Sequence, residues 1–324
     1  MSIKTSVLAT GSALASKLVK NEDLEGSLDT SDTWIRERSG IEQRFIAEVG
    51  ELTSDLATRA AKDALKSAGL DPQDVDLIIV ATTTPDRTFP STAAYVQAKL
   101  GISTNCAAFD IQAVCSGFVY ALSVGDAMVK TGQYKNALII GAETMSRILD
   151  WTDRTTAVLF GDGAGAFVLG ARSEVASGDS DLLDHLLACD GSKSELLSVD
   201  GGPSFNQSVG HLRMNGREVF RHAVGNMSHT ILTVLERNNL TIDDVDWFVP
   251  HQANLRIIKA VAERVGLPIE KTVITVGGHA NTSAASIPLA MHEAVADGRI
   301  QRGHLIMTEA MGGGFTWGGN LIRW

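Results

Sequence analysis

The chain repeats itself, and the repeat limits what it can fold into. Gly69–Val80 (GLDPQDVDLIIV) and Asn239–Pro250 (NLTIDDVDWFVP) share an acidic turn followed by an apolar run, 170 residues apart. Asn136–Gly141 (NALIIG) and Gly303–Thr308 (GHLIMT) match at a spacing of 167. Either match alone is weak. Two in the same order at nearly equal spacing predict two βα halves of like topology, residues 1–172 and 173–324. With 324 residues, 44% of them hydrophobic, the chain has ample material for such a core.

Local patterns fill in the halves. Apolar residues at helical spacing predict a helix over Thr53–Leu70, with Thr53 or Ser54 as its cap and Gly69 as its stop. Asp76–Thr84, Cys106–Ile111 and Asn136–Glu143 read as buried strands, and Ser91–Leu100 as a short helix. Thr155–Gly170 holds two apolar runs around GDGAG. A nucleotide-binding glycine loop must open a helix, whereas this one opens AFVLG, so a hairpin turn is expected. The polar stretch Ser173–Gly210 reads as connection, and helical patterns return over Arg217–Asn238 and Asn254–Val265.

A net charge of −10 argues against non-specific nucleic-acid binding. Three cysteines, Cys106, Cys115 and Cys189, with no CxxC spacing, fit neither a disulfide framework nor a metal site; they point to a reducing compartment, the cytoplasm. The N-terminal apolar stretch is broken by Thr10, Gly11 and Ser12, which favours a strand over a signal peptide. No apolar run reaches the length of a membrane span.

Chemistry concentrates in Phe109–Leu122 (FDIQAVCSGFVYAL), read as a strand, a tight turn and a buried helix with Cys115 in its first turn. A helix start carries partial positive charge and unpaired N–H groups, which favour a thiolate and can hold an oxyanion. A buried cysteine is also commonly just a small hydrophobe. The repeat adds weight: a shift of 167 from Cys115 lands on Thr282, beside Asn281, and His251 directly follows the repeated strand WFVP. Ligands gather at strand C-termini in such folds. Taken singly, His251 reads better as a loop histidine and Asn281 as a helix cap; their convergence with Cys115 through the repeat reverses that. The order Cys…His…Asn also occurs in papain-like hydrolases, but AVCSGF deep in the chain lacks their CG-[SA]-C-[WY] context.

Taken together, TSDTWIRERSGI, ATTTPDRTFPSTA, FDIQAVCSGFVYAL, FGDGAGA, LRMNGREVF, VPHQANLRII, NTSAASIP and GGGFTWG resemble the β-ketoacyl-acyl carrier protein synthase III family of the thiolase-like superfamily, over essentially the whole chain. The resemblance implies a fivefold-layered αβαβα fold and a homodimer. It also implies decarboxylative Claisen condensation of a short acyl-CoA, such as acetyl-CoA, with malonyl-acyl carrier protein. Coenzyme A thioester is then a substrate, with no cofactor or metal.

By motif match, Cys115 is the acylated nucleophile, and His251 and Asn281 stabilise the enolate. The backbone N–H groups of Cys115 and Gly313 are oxyanion donors. Trp34 and Arg154 stack coenzyme A's adenine, with Arg38 on the phosphate side. Phe89 reaches across the dimer to the primer pocket, which Met311 borders. Arg221 matches a carrier-docking position, and Arg256, Lys259 and Arg264 share one broad sector of the helix after HQAN. Two positions depart from the pattern: Met311 stands where many relatives carry Phe, and GGHA precedes Asn281 where many read RHG. A relative that uses an unusual primer in secondary metabolism is the alternative within the family.

Overall fold

The computed structural model describes residues 3–103, 105–173 and 180–324. Strands β1 (Lys4–Leu14), β2 (Leu77–Ala81), β3 (Ala107–Ile111), β4 (Asn136–Thr144) and β5 (Asp162–Arg172) form one sheet in the order β1-β5-β4-β2-β3. Strands β6 (Asp181–Cys189), β7 (Trp247–Pro250), β8 (Leu305–Gly312) and β9 (Thr316–Arg323) form a second, ordered β7-β8-β9-β6. The two orders are the same motif. Where the first sheet has its edge strand β3, the second keeps a single parallel bridge between Phe248 and Thr272.

Helices separate and cover the sheets. α1 (Thr53–Ala68) and α2 (Thr92–Leu100) pack on the outer face of the first sheet, burying Leu56, Ala60, Ala64 and Val96 against Ile78, Val80 and Ile140. α3 (Gly117–Lys130) and α6 (Ser286–Ala296) lie between the sheets, where Phe118, Leu122, Ile287 and Met291 meet Ile79, Ile139, Ile306 and Ile322. α4 (Gly216–Arg237) and α5 (Leu255–Val265) cover the far face of the second sheet. The result is five layers, αβαβα. Among the described residues no helix is long and apolar enough to cross a membrane.

Several sequence expectations change here. GDGAG is not a hairpin: Asp162–Arg172 runs as one strand, paired with β1 on one side and β4 on the other. Its glycines let α6 come close; a Cβ on Gly165 would sit 2.7 Å from the Leu289 backbone nitrogen. The supposed connection after Ser173 contains β6, the edge strand paired with β9, although residues 174–179 of it lie outside those described. The N-cap of α1 is Leu52, whose N–H is taken by Asp55. Thr53 and Ser54 bond instead to Thr84, Thr144 and Asp86.

The repeat is also in a different register from the one read in sequence. Asp76 accepts from Asn136 N, and Asp246 accepts from Leu305 N, so Asn136 corresponds to Leu305, a spacing of 169. The turns entering α3 and α6 obey the same spacing. Val114 and Ser283 both adopt left-handed φ, 49° and 50°. Cys115 therefore corresponds to Ala284, and Glu143 to Gly312.

Candidate active site

The two matching turns face each other at the centre of the molecule. Cys115 sits in the Val114–Ser116 turn and Asn281 just before the Ser283–Ala285 turn. His251 leaves the end of β7, its N–H held by the carbonyl of Glu309 in β8. These three side chains line one pocket of about 330 Å³, whose other walls include Val219, Phe220, Met227 and Met311. All three are nearly inaccessible, at 5%, 3% and 6% exposure.

Burial decides the protonation states. It pushes the Cys115 thiol up to about 12; a Ser283 hydrogen bond opposes this and the Glu143 carboxylate adds to it. Burial thus opposes the pull toward a thiolate expected from the helix start. Burial pushes His251 down to about 3, so its imidazole is neutral. A thiolate–imidazolium pair has no support in this site.

Neighbouring hydrogen bonds then orient the two polar side chains. Ser286 Oγ accepts from Gln252 N at 3.2 Å and lies 2.6 Å from His251 Nδ1. The hydroxyl proton is free to go to Nδ1, which leaves the imidazole proton on Nε2. Asn281 Oδ1 accepts from Ser283 N at 2.9 Å, so its amide NH₂ is the free end. Sequence reasoning missed Ser283, Ser286 and Glu143; the first two sit in plain view in NTSAAS, but nothing in the string says which hydroxyl meets which partner.

Gly312 was missed as well. A Cβ there would fall 2.6 Å from Cys115 N, so only glycine lets β8 approach the cysteine turn this closely. Its neighbour Gly313 lies against the Leu197 carbonyl oxygen, which a Cβ would meet at 2.6 Å.

At the pocket mouth the Trp34 indole is flanked by the guanidinium groups of Arg38 and Arg154, 4.8 and 5.3 Å from its ring centroid. Arg154 also pairs with Asp29. Arg38 and Arg256 share an adjoining cavity with Arg217 and Phe220. Arg256, Lys259 and Arg264 are exposed on α5 and carry no ion pair among the described residues, whereas Arg221 pairs with Glu218. Phe89 stands apart from the pocket of its own chain, 82% exposed. Met311 is in the wall, its sulfur 3.8 Å from the Asn226 amide.

Residues 109–191 match the family model for 3-oxoacyl-[acyl-carrier-protein] synthase III, and residues 235–324 match the model for its C-terminal part. The chain is 59% identical over 324 residues to the β-ketoacyl-[acyl-carrier-protein] synthase III of Paramagnetospirillum magneticum, covering all of both chains. It superposes on the crystal structure of 3-oxoacyl-[acyl-carrier-protein] synthase III from Aquifex aeolicus with a TM-score of 0.93 at 48% identity, covering 99% of this chain and 100% of that one. The priming β-ketosynthase of the R1128 polyketide pathway aligns at 34% identity and a TM-score of 0.90, over 98% of this chain and 96% of its own. With a whole-length relative at this identity and a five-layer fold to match, the chain belongs to the β-ketoacyl-[acyl-carrier-protein] synthase III family.

Proposed function

We propose that this protein starts fatty-acid chains by condensing a short acyl-CoA, such as acetyl-CoA, with malonyl-acyl carrier protein, releasing coenzyme A and CO₂. The observation that carries the reading is the convergence of Cys115, His251 and Asn281 on one buried pocket from two matching turns and a strand end.

The reaction divides into two halves. First, the Cys115 sulfur attacks the acyl-CoA carbonyl, its own N–H and that of Gly313 meeting the oxyanion, and coenzyme A leaves. Trp34 and Arg154 offer planes for the adenine, and Arg38 offers charge for phosphate. Next, the malonyl thioester enters and loses CO₂, and negative charge develops on its carbonyl oxygen. The Nε2–H of His251 and the amide of Asn281 are two neutral donors suited to that oxygen. Neutrality helps, because a cationic imidazole would pair with the malonyl carboxylate and hold back its departure. The resulting carbanion attacks the acyl group on Cys115, the Sγ–C bond breaks, and the 3-oxoacyl product forms as the cysteine sulfur leaves and takes up a proton.

The mixed charge of α5 fits docking of an acidic carrier protein through Arg256, Lys259 and Arg264, with Arg221 alongside. A two-fold dimer would give Phe89 a place in the partner's primer pocket. Sedimentation should then show a dimer at micromolar concentration, and a stable active monomer would remove Phe89 from the pocket. The whole reading is tested by incubating the protein with mixed acyl-CoAs and malonyl-carrier protein, then identifying the Cys115 adduct and the product by mass spectrometry. A short 3-oxoacyl product supports chain initiation; a long or branched one favours the secondary-metabolism alternative; peptide cleavage without thioester chemistry overturns both.

A further inference from the structure

The proposed reaction needs two donors, the His251 Nε2–H and the Asn281 amide, on one developing oxyanion. They come from different elements, the end of β7 and the approach to the Ser283–Ala285 turn. The residue next to His251 in the chain joins these elements. Gln252 is 1% exposed, and its side chain places every hydrogen bond it can make on backbone. Its Nε2 donates to the carbonyls of Pro250 at 2.8 Å and Val273 at 3.0 Å. Its Oε1 accepts from Thr275 N at 2.8 Å and from Val276 N at 3.1 Å. The amide fits one way round only, because a flip would set oxygen against two carbonyls and nitrogen against two N–H groups.

The four partners lie on both sides of the donor pair. Pro250 is the residue before His251, and Val273 lies beside β7 with its N–H on the Phe248 carbonyl. Thr275 and Val276 open the single helical turn Val276–His279, which leads directly into Ala280 and Asn281. Asn281 is held from its far side as well, its N–H on the Leu159 carbonyl and its carbonyl on Gly161 N. Between the two holds stands Ala280, with φ 57° and ψ −162°, a combination that glycine accepts and a side chain resists. Backbone in such a state persists only where its surroundings pin both ends. Release at the Gln252 end lets Ala280 relax and Asn281 shift.

We propose that Gln252 is a positioning residue for condensation: it ties the strand end that carries His251 to the turn that carries Asn281, and so sets the spacing of the two donors. The residue type follows from that task. Asparagine is one methylene short, a glutamate cannot supply both donors, and an aliphatic chain leaves two buried N–H groups and two buried carbonyls unpaired. With its amide fully used on backbone, Gln252 acts on the substrate only through His251 and Asn281.

The inference rests on His251 and Asn281 serving condensation, so their own variants are read first. Enzyme acylated by long incubation with acetyl-CoA is mixed with malonyl-carrier protein, and product is followed in a single turnover. The set is the wild type, His251→Ala, Asn281→Ala, Gln252→Leu, Gln252→Glu, and Gln252→Leu combined with each alanine variant. If neither alanine variant slows condensation, the proposed function falls and the tether falls with it. Given that both do, Gln252→Leu should slow condensation about thirtyfold, as a donor misplaced by a fraction of an ångström would. Its acylation by acetyl-CoA should stay within about threefold of the wild type. In either alanine background the same change should cost about threefold or less, because a single remaining donor has no spacing to lose. A merely structural Gln252 predicts the same factor in every background and in both half-reactions. That result, or condensation at the wild-type rate in Gln252→Leu, overturns the tether. Gln252→Glu keeps the oxygen that holds Thr275 and Val276 and disturbs only the side toward Pro250 and Val273. It should show the same split at about tenfold, and it decides the matter alone if Gln252→Leu does not fold.

Discussion

At the Val114–Ser116 turn the chain presents a thiol. At the Ser283–Ala285 turn, entered through the same φ near +50°, it presents a methyl group at the matching position and a hydroxyl one residue earlier. Each turn rests on the strand end of the other half: Cys115 N against Gly312 of β8, and Ser283 Oγ against Glu143 of β4. Gly312 and Glu143 are themselves counterparts. Duplication thus supplied two equal turns face to face, and substitutions at two matched pairs of positions divided the work. One half carries the reacting sulfur and the Glu143 carboxylate; the other carries the bare glycine that lets the sulfur's turn approach, together with Ser283, His251 and Asn281. A site built this way needs both halves at once, because neither turn is supported by its own sheet alone.

The largest break in this pairing should come from Gly312→Ala. The new Cβ would lie 2.6 Å from Cys115 N, so the nucleophile turn or β8 must move. A displacement approaching 1 Å is expected to slow acylation about a hundredfold, read as single-turnover adduct formation. A folded variant with wild-type acylation would show that the two turns are not held as tightly as the packing implies.

Arg256→Glu leaves the turns alone and acts at the mouth of the pocket. It should raise the KM for malonyl-carrier protein about tenfold, with strong salt dependence, and change acylation by acyl-CoA much less. Equal effects on both half-reactions would place Arg256 at the coenzyme rather than at the carrier.

The smallest effect concerns stability. Glu309 lies on the β8 face that carries Met307 and Met311, and neither carboxyl oxygen has a hydrogen-bond partner among the described residues. Burial raises it well above the usual carboxylate range. The folded state therefore binds a proton that the unfolded state releases above about pH 4.5. Stability from this group is present below that pH and is lost as pH rises toward the folded value. Glu309→Gln removes the dependence, so its melting temperature relative to the wild type should climb between about pH 5 and pH 8. A constant difference across that range would mean that Glu309 is not a buried, protonated acid.

Much of this was legible in the string. The helix stop at Gly69 and the apolar stripes of α1 and α5 follow from spacing. The repeat brought Asn281 and Cys115 together before any coordinates. Its spacing was nevertheless read as 167 in the second match where the structure has 169. Both strands are apolar on both faces, so a slip of two residues keeps every side chain on its own face and leaves no mismatch to notice. GDGAG was misread because glycines that admit a neighbouring helix look, in sequence, like glycines that make a turn. The pairing of Ser283 with Glu143 was hidden for another reason. Glu143 and Ser283 lie 140 residues apart, and only the folded approach of the two halves puts 3.0 Å between them.

The central claim is that the nucleophile and the polar groups act in separate half-reactions. It is tested most directly by His251→Ala in a single-turnover experiment that follows the Cys115 adduct by intact mass and then the condensation. His251 is neutral and turned to Ser286, so the folded variant should still acylate Cys115 at a measurable rate. Condensation should fall by roughly a hundred- to a thousandfold, the cost of a missing donor at the developing oxyanion. Cys115→Ala should form no adduct. Loss of the adduct in folded His251→Ala would contradict the account, because it would make His251 the base for the cysteine and merge the two half-reactions in one residue.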